Sequence, residues 1–252
     1  MIDTHFHLDK YQRPDAELND IRQNRITAIA VSNNLNSYIQ SRLLAQDCKE
    51  VSVAIGLHPA EISRWDWEME EILSIVEMEP FIGEVGLDGE DPVARVKRSP
   101  QEMDQQIRAL ETIFDRCIGK DKVFTLHSQD AVPLLVDLIK DKPLQRVIWH
   151  WYTGSEPYVG KIIEMGHYLS VGPWIAKKKS RMRDWIENQI PRNRILTETD
   201  GPFGGKGLLR RDALRMTYSV LASAWRCSIE DAEETVLNNY RVLTANIPGV
   251  VL

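Results

Sequence analysis

Cysteine is scarce: three residues in 252, at positions 48, 117 and 227, with no Cys-x-x-Cys spacing. An odd, scattered set excludes a disulfide framework and predicts reduced thiols in a cytoplasmic protein. Long apolar runs are missing too. None approaches the ~20 residues that a membrane span requires, so no membrane partner is expected. The opening residues already carry Asp3, His5, His7 and Asp9, a pattern that argues against a secretory leader. There is no excess of basic residues either: 31 Lys and Arg face 37 Asp and Glu, a formal net charge of −6. That balance excludes broad, charge-driven nucleic-acid binding. It leaves a phosphodiester substrate open, because two bound divalent cations would add about +4 where the phosphate sits.

What is present is alternation. Eight short β-branched or apolar runs read as strands: 1–7, 26–32, 51–57, 81–85, 123–127, 146–150, 168–171 and 195–198. Several are continuously apolar, as parallel strands buried on both faces are. Amphipathic segments fill the gaps. The clearest starts at Ser99-Pro100-Gln101-Glu102, a capping box with proline at the first helical position. It places Met103, Ile107, Leu110, Phe114 and Cys117 on one stripe and stops at Gly119. A second covers about 65–79, with Met69, Ile72, Leu73 and Val76 inward and Pro80 ending it. Two more close the chain, over roughly 208–225 and 229–244. Nothing marks a linker or a repeat, so residues 1–252 are expected to form one domain. Its class is α/β, a single (β/α)8 TIM barrel, and the length suits that fold. An open doubly wound sheet would want a glycine-rich turn after the first strand. Asp3–Lys10 contains no glycine.

The chemistry-bearing residues gather at strand ends, where barrel active sites are built. His5 and His7 share a face of the first strand, since strand side chains alternate with a period of two. His58 ends the third strand in Leu57-His58-Pro59. Glu84 lies in the fourth, in Gly83-Glu84-Val85-Gly86-Leu87-Asp88. His127 and His150 end the fifth and sixth, and the eighth runs into Glu198-Thr199-Asp200. Five of the six histidines therefore fall at one end of the expected barrel; His167, before the seventh strand, is at the other and reads as structural. Scattered core histidines would need five coincidences. Four histidines with two carboxylates suit two divalent cations, and a central carboxylate such as Glu84 is the natural bridge.

The ordered set His5-x-His7-Leu8-Asp9, Gly56-Leu57-His58-Pro59, Gly83 to Asp88, His127, His150 and Glu198-Thr199-Asp200-x-Pro202 resembles the TatD family of metal-dependent deoxyribonucleases, amidohydrolase-like barrels. The likeness extends over essentially the whole chain, to Asn238-x-x-Arg241. It implies that His5, His7 and Asp200 hold a first metal, that Glu84 bridges, and that His127 and His150 hold a second. It also implies a nuclease that uses a metal-bound hydroxide, with magnesium among the usable ions; imidazole-rich coordination itself favours zinc or manganese. Asp200 and Glu84 are then the catalytic carboxylates, Asp200 as general base. The chain departs from the family at Gln129, where an arginine is usual, and at Gly89, where an aromatic often stands. It departs again at Phe203-Gly204-Gly205-Lys206-Gly207, which replaces a polar Asn-Glu-Pro stretch. The metal set is whole; the substrate-facing shell is altered.

Around this set, His58 is expected to support the metal ligands or to contact substrate phosphate rather than merely pack. Trp151 and Trp174, just past strand ends, are placed where an indole stacks a base, although core or rim packing is the commoner use of either. Lys177-Lys178-Lys179 is a possible phosphate contact or a solvated face. The Gly204–Gly207 loop is a flexible turn or a phosphate cradle, and Arg241 is an anchor for the last helix. The expected activity is trimming of single-stranded or frayed DNA ends. The alternatives are an esterase or deacylase acting on aminoacylated RNA, and a metal-holding subunit with protein partners in a defence or repair assembly. A ring-opening amidohydrolase often bridges its metals with a carboxylated lysine, and Phe81–Leu87 has no lysine.

Overall fold

The computed structural model describes residues 1–91, 94–177, 180–205, 207–248 and 250. Parallel strands alternate with helices around a closed barrel: β1 (Ile2–Phe6), α1 (Pro14–Gln23), β2 (Thr27–Ala30), α2 (Leu35–Ala45), β3 (Val51–Val53), β4 (Ile55–Leu57), α3 (Trp65–Met78) and β5 (Phe81–Gly86). Then come α4 (Pro100–Cys117), β6 (Val123–His127), α5 (Val132–Ile139), β7 (Val147–Trp149), α6 (Glu156–Glu164), β8 (Tyr168–Val171), α7 (Arg181–Asn188) and β9 (Ile195–Thr197). Helices α8 (Arg210–Trp225) and α9 (Ile229–Leu243) complete the chain. The fold is the (β/α)8 barrel expected from the alternation of runs.

One expected strand is broken. Residues 51–57 form two short pieces: β3 pairs with β2, and β4 pairs with β5. The physical reason lies at Gly56. Ser32 donates to the Gly83 carbonyl and accepts from the Glu84 N–H, both at 3.0 Å, so the second and fourth barrel staves touch beside the third. A Cβ at Gly56 would sit 2.4 Å from both Ser32 O and Glu84 N. Glycine is therefore what lets Glu84 approach. The other close passage is at Gly86, with φ +149°, where a Cβ would meet His127 O at 2.0 Å.

The barrel closes between β9 and β1. The Thr4 hydroxyl donates to Thr197 O at 3.1 Å and the Thr197 hydroxyl to Ile2 O at 2.6 Å. The His7 N–H reaches Gly201 O at 2.8 Å and the Asp200 N–H reaches His5 O at 2.9 Å. These last two bonds lock the first and last metal-site candidates into one register.

The helices form where the local chemistry dictates. Ser99 and Glu102 make the reciprocal capping box with Pro100 in the first turn of α4, which satisfies N–H groups the helix cannot satisfy internally. The face of α4 that is buried carries Gln106, Ala109, Leu110, Ile113, Phe114 and Cys117, so Met103 and Ile107 lie at its margin. Met69, Ile72, Leu73 and Val76 of α3 are buried as their spacing predicts. Among the described residues, Trp149, Tyr218, Tyr240, Phe6 and Phe114 are the largest fully buried side chains. Cys48, Cys117 and Cys227 are free thiols. No helix among the described residues is long and apolar enough to cross a membrane.

Candidate metal centre

The ends of β1, β4, β5, β6, β7 and β9 bring His5, His7, His58, Glu84, His127, His150 and Asp200 together. Glu84 stands between two groups. Its Oε2 lies 3.5 Å from His5 Nε2 and 3.6 Å from His7 Nε2. Its Oε1 lies 2.7 Å from His127 Nδ1, 3.6 Å from His58 Nε2 and 3.8 Å from His150 Nε2. Asp200 Oδ1 closes the first group, 3.4 Å from His7 Nε2 and 3.8 Å from His5 Nε2. A cation with bonds near 2.1 Å has its tetrahedral ligands about 3.4 Å apart. The first group has that spacing.

The donor chemistry fits a metal as well. Glu84 is 2% exposed and His5 fully buried, yet among the described residues neither ring nitrogen of His5 has a hydrogen-bond partner, nor has Nδ1 of His7. Buried polar atoms are ordinarily satisfied; such rings suit ligation. His5, His7 and Asp200 offer atoms within 4.8 Å of one another, as do His58, Glu84 and His127.

The electrostatics follow from crowding. Burial alone would raise the Glu84 carboxyl, but His58, His5 and His127 around it hold it well below the usual range. Burial works the same way on Asp200 and is overruled by the His7 hydrogen bond and the charges of His150 and His5. Burial disfavours the charged form of His127, yet Glu84 and Asp88 outweigh it and raise this imidazole to about 10. Burial likewise opposes charge on His150, and Glu198 lifts it to about 9. His58 goes the other way, to about 3, since burial outweighs the pull of Glu84. Its Nδ1 accepts the Ala60 N–H at 3.0 Å, so the neutral ring carries its proton on Nε2. His58 is a hydrogen-bond donor facing the site.

A layer behind these residues holds them. Glu198 is fully buried, lies 3.0 Å from His150 Nδ1, accepts the Trp151 N–H at 3.0 Å and accepts from the Ser170 hydroxyl. Asp88 Oδ2 lies 3.4 Å from His127 Nε2. Beneath Asp200, Arg210 reaches Asp3, Thr199, Tyr11 and Glu17 at once. The Thr199 N–H and hydroxyl both donate to Asp3, at 2.9 and 2.7 Å. Asp200 itself has φ +48°, a strained value for a non-glycine residue, and the Thr199–Asp3–Arg210 network borders it.

Other expected contacts fall out differently. Trp151 and Trp174 stack on each other, ring centroids 4.1 Å apart and planes 4° off parallel, so each indole has one face covered. Trp151 still lines the pocket of about 240 Å³ beside His127, His150 and Asp200. Phe203 lines it too and meets His7 edge-on at 5.2 Å; only its place after Asp200 hinted at this. Lys178, Lys179 and Lys206 lie outside the described residues. Arg241 bonds Asn238 at 3.1 Å on an exposed face of α9. His167 is buried away from the cluster.

Three comparisons bear on this site. Residues 2–244 match the family model described as TatD related DNase. The chain is 25% identical over 213 residues to an uncharacterized metal-dependent hydrolase of Bacillus subtilis, covering 81% of this chain and 80% of the relative. It is 25% identical over 192 residues to the 3'-5' ssDNA/RNA exonuclease TatD of Escherichia coli K12, covering 73% and 69%. Among solved structures, a TatD homologue from Escherichia coli K12 superposes with a TM-score of 0.78 at 24% identity, over 96% of this chain and 97% of the other; this likeness speaks to the fold.

Proposed function

We propose a function from one premise: the chain belongs to the TatD related DNase family, and as such is a metal-dependent hydrolase of ester bonds. We read residues 1–252 as one hydrolase domain whose bond is a phosphodiester at the end of a single DNA strand or a frayed duplex. Three unpaired cysteines favour the cytoplasm as its place. The observation that carries the site assignment is the division of Glu84, one oxygen toward His5 and His7, the other toward His127 and His150.

On that basis His5, His7 and Asp200 would hold one divalent cation, His127 and His150 a second, with Glu84 shared. The donor set suits zinc or manganese, and magnesium is the competing choice. Cations bound there supply Lewis acidity, which lowers the pKa of water and offsets phosphate charge. The chain's own groups do the rest. Asp200, held ionised by its neighbours, accepts the attacking water's proton. His58 donates a hydrogen bond from its Nε2–H to a phosphate oxygen. The open face of Trp151 takes a base, a contact of about 1–3 kcal/mol.

The names of relatives support this reading over an acyl ester: the TatD proteins it resembles are called ssDNA/RNA exonucleases. The test offers metal-loaded protein end-labelled linear single-stranded DNA, circular single-stranded DNA, duplex DNA and an aminoacyl-RNA ester together. Cutting of the linear strand, with slow attack on duplex and circle, is expected. Equal cutting of the circle would make the protein an endonuclease. Turnover of the ester alone would replace phosphorus with an acyl carbon as the target.

A further inference from the structure

The pocket beside His127, His150 and Asp200 does not end there. A neighbouring hollow of about 580 Å³ shares Gln129 and Thr153 with it and reaches Tyr158 and Arg181. One groove therefore runs from the candidate metal centre, past the loops after β6 and β7, to the start of α7. Its far end has the charge a phosphate would meet. Arg181 is exposed, and its guanidinium stands 6.0 Å from the Trp185 ring. No ion pair engages it among the described residues. Lys161 Nζ lies 4.9 Å from the ring of Tyr158, adding a second cation at the edge. Among the described residues the one carboxylate lining this hollow, Asp130, is engaged by Lys97. Beyond Arg181 the surface changes sign, with Glu156 and Asp184 lining the next depression.

We propose that this groove is a subsite for the single strand adjoining the scissile phosphate. Arg181, backed by Lys161, meets a backbone phosphate, and Gln129, Thr153 and Tyr158 contact the nucleotide between it and the metal centre. The footprint is short because the acids past Arg181 repel the next phosphates. This rests on the phosphodiesterase reading above and adds where the strand lies. It also explains how a chain of net charge −6 grips a strand: one or two well-placed cations replace a basic stripe.

The test compares kcat/KM on a thymidine dinucleotide and a thymidine hexanucleotide over a range of salt. In Arg181→Glu the hexamer-to-dimer ratio is expected to fall about tenfold, through KM rather than kcat. The slope of log kcat/KM for the hexamer against log salt should shrink by about 0.7, the value for one phosphate on a single strand. Lys161→Glu, beside Tyr158, should shift the ratio in the same direction by about threefold, so the inference does not hang on one variant. Lys140→Glu, exposed directly after α5, serves as the charge control and should leave the ratio alone. Unchanged ratio and slope in both Arg181→Glu and Lys161→Glu, with wild type cleaving both oligonucleotides, would overturn the subsite and leave the phosphodiesterase reading standing. A wild type that cleaves neither with any divalent cation would overturn both.

Discussion

The molecule holds two kinds of buried histidine, one at each end of the barrel. At the far end, His167 is 1% exposed, accepts from Trp149 Nε1 at 3.2 Å and donates from Nε2 to Leu144 O at 2.8 Å. Both its nitrogens are used. At the other end His5 is equally buried, and neither ring nitrogen has a hydrogen-bond partner among the described residues. Burial does not separate the two; hydrogen-bond completeness does. A ring satisfied by the protein has nothing left to offer a ligand, whereas rings converging unsatisfied on Glu84 and Asp200 do.

The largest effect should come from the residue that defines the difference. Glu84→Gln replaces a shared charge with an amide that bridges cations poorly, so turnover should fall on the order of 10³-fold or more. Calorimetry should show both metal sites weakened together. Loss at one site alone would remove Glu84 from its place between the groups.

A smaller effect is expected one layer back. Glu198→Gln weakens the carboxylate that faces His150 Nδ1, and such changes lower metal affinity about 10–100-fold. The drop should be confined to the site served by His127 and His150. An equal drop at both sites would mean that Glu198 acts on the barrel as a whole.

Arg210→Met sharpens the comparison from a different direction. It leaves Asp3 buried with its guanidinium partner gone, a change that costs about 3–5 kcal/mol in stability. Denaturant unfolding should show it. A variant as stable as wild type would contradict the view that Arg210 holds β1, the Thr199 turn and α1 together.

His167→Ala should be the mildest change for function, with turnover close to wild type and a stability loss of about 1–3 kcal/mol from the stranded Trp149 and Leu144 groups. It also has a pH signature. Burial pushes His167 down to about 4, below the ordinary value of a histidine in an unfolded chain. The unfolded state thus binds the proton first, and the stability His167 contributes is present in full above about 6.5 and is lost as pH falls toward 4. The variant should show a shallower decline across that window. Turnover as low as that of Glu84→Gln would put the active end of the barrel in the wrong place.

How much of this was legible in the sequence depends on the range of the signal. The capping box at Ser99 and Glu102 and the stripe of α3 are local patterns, and they fold as they read. So do the strand ends, which is why His5, His7, Glu84, His127, His150 and Asp200 could be gathered from order alone. Partnerships across the fold leave no local trace. Arg210 and Asp3 are 207 positions apart, and no periodicity links them. The Trp151–Trp174 stack joins two loops for the same reason. The break at Ala54 was hidden because 51–57 is apolar throughout apart from Ser52 and Gly56. Only the approach of Ser32 to Glu84 explains it.

The most direct test of the metal centre is anomalous diffraction from crystals grown with manganese. Two peaks are predicted, one among His5, His7 and Asp200 and one beside His127 and His150, with the Glu84 carboxylate between them. A map with no peak within bonding distance of Glu84, near 2 Å, would contradict the assignment.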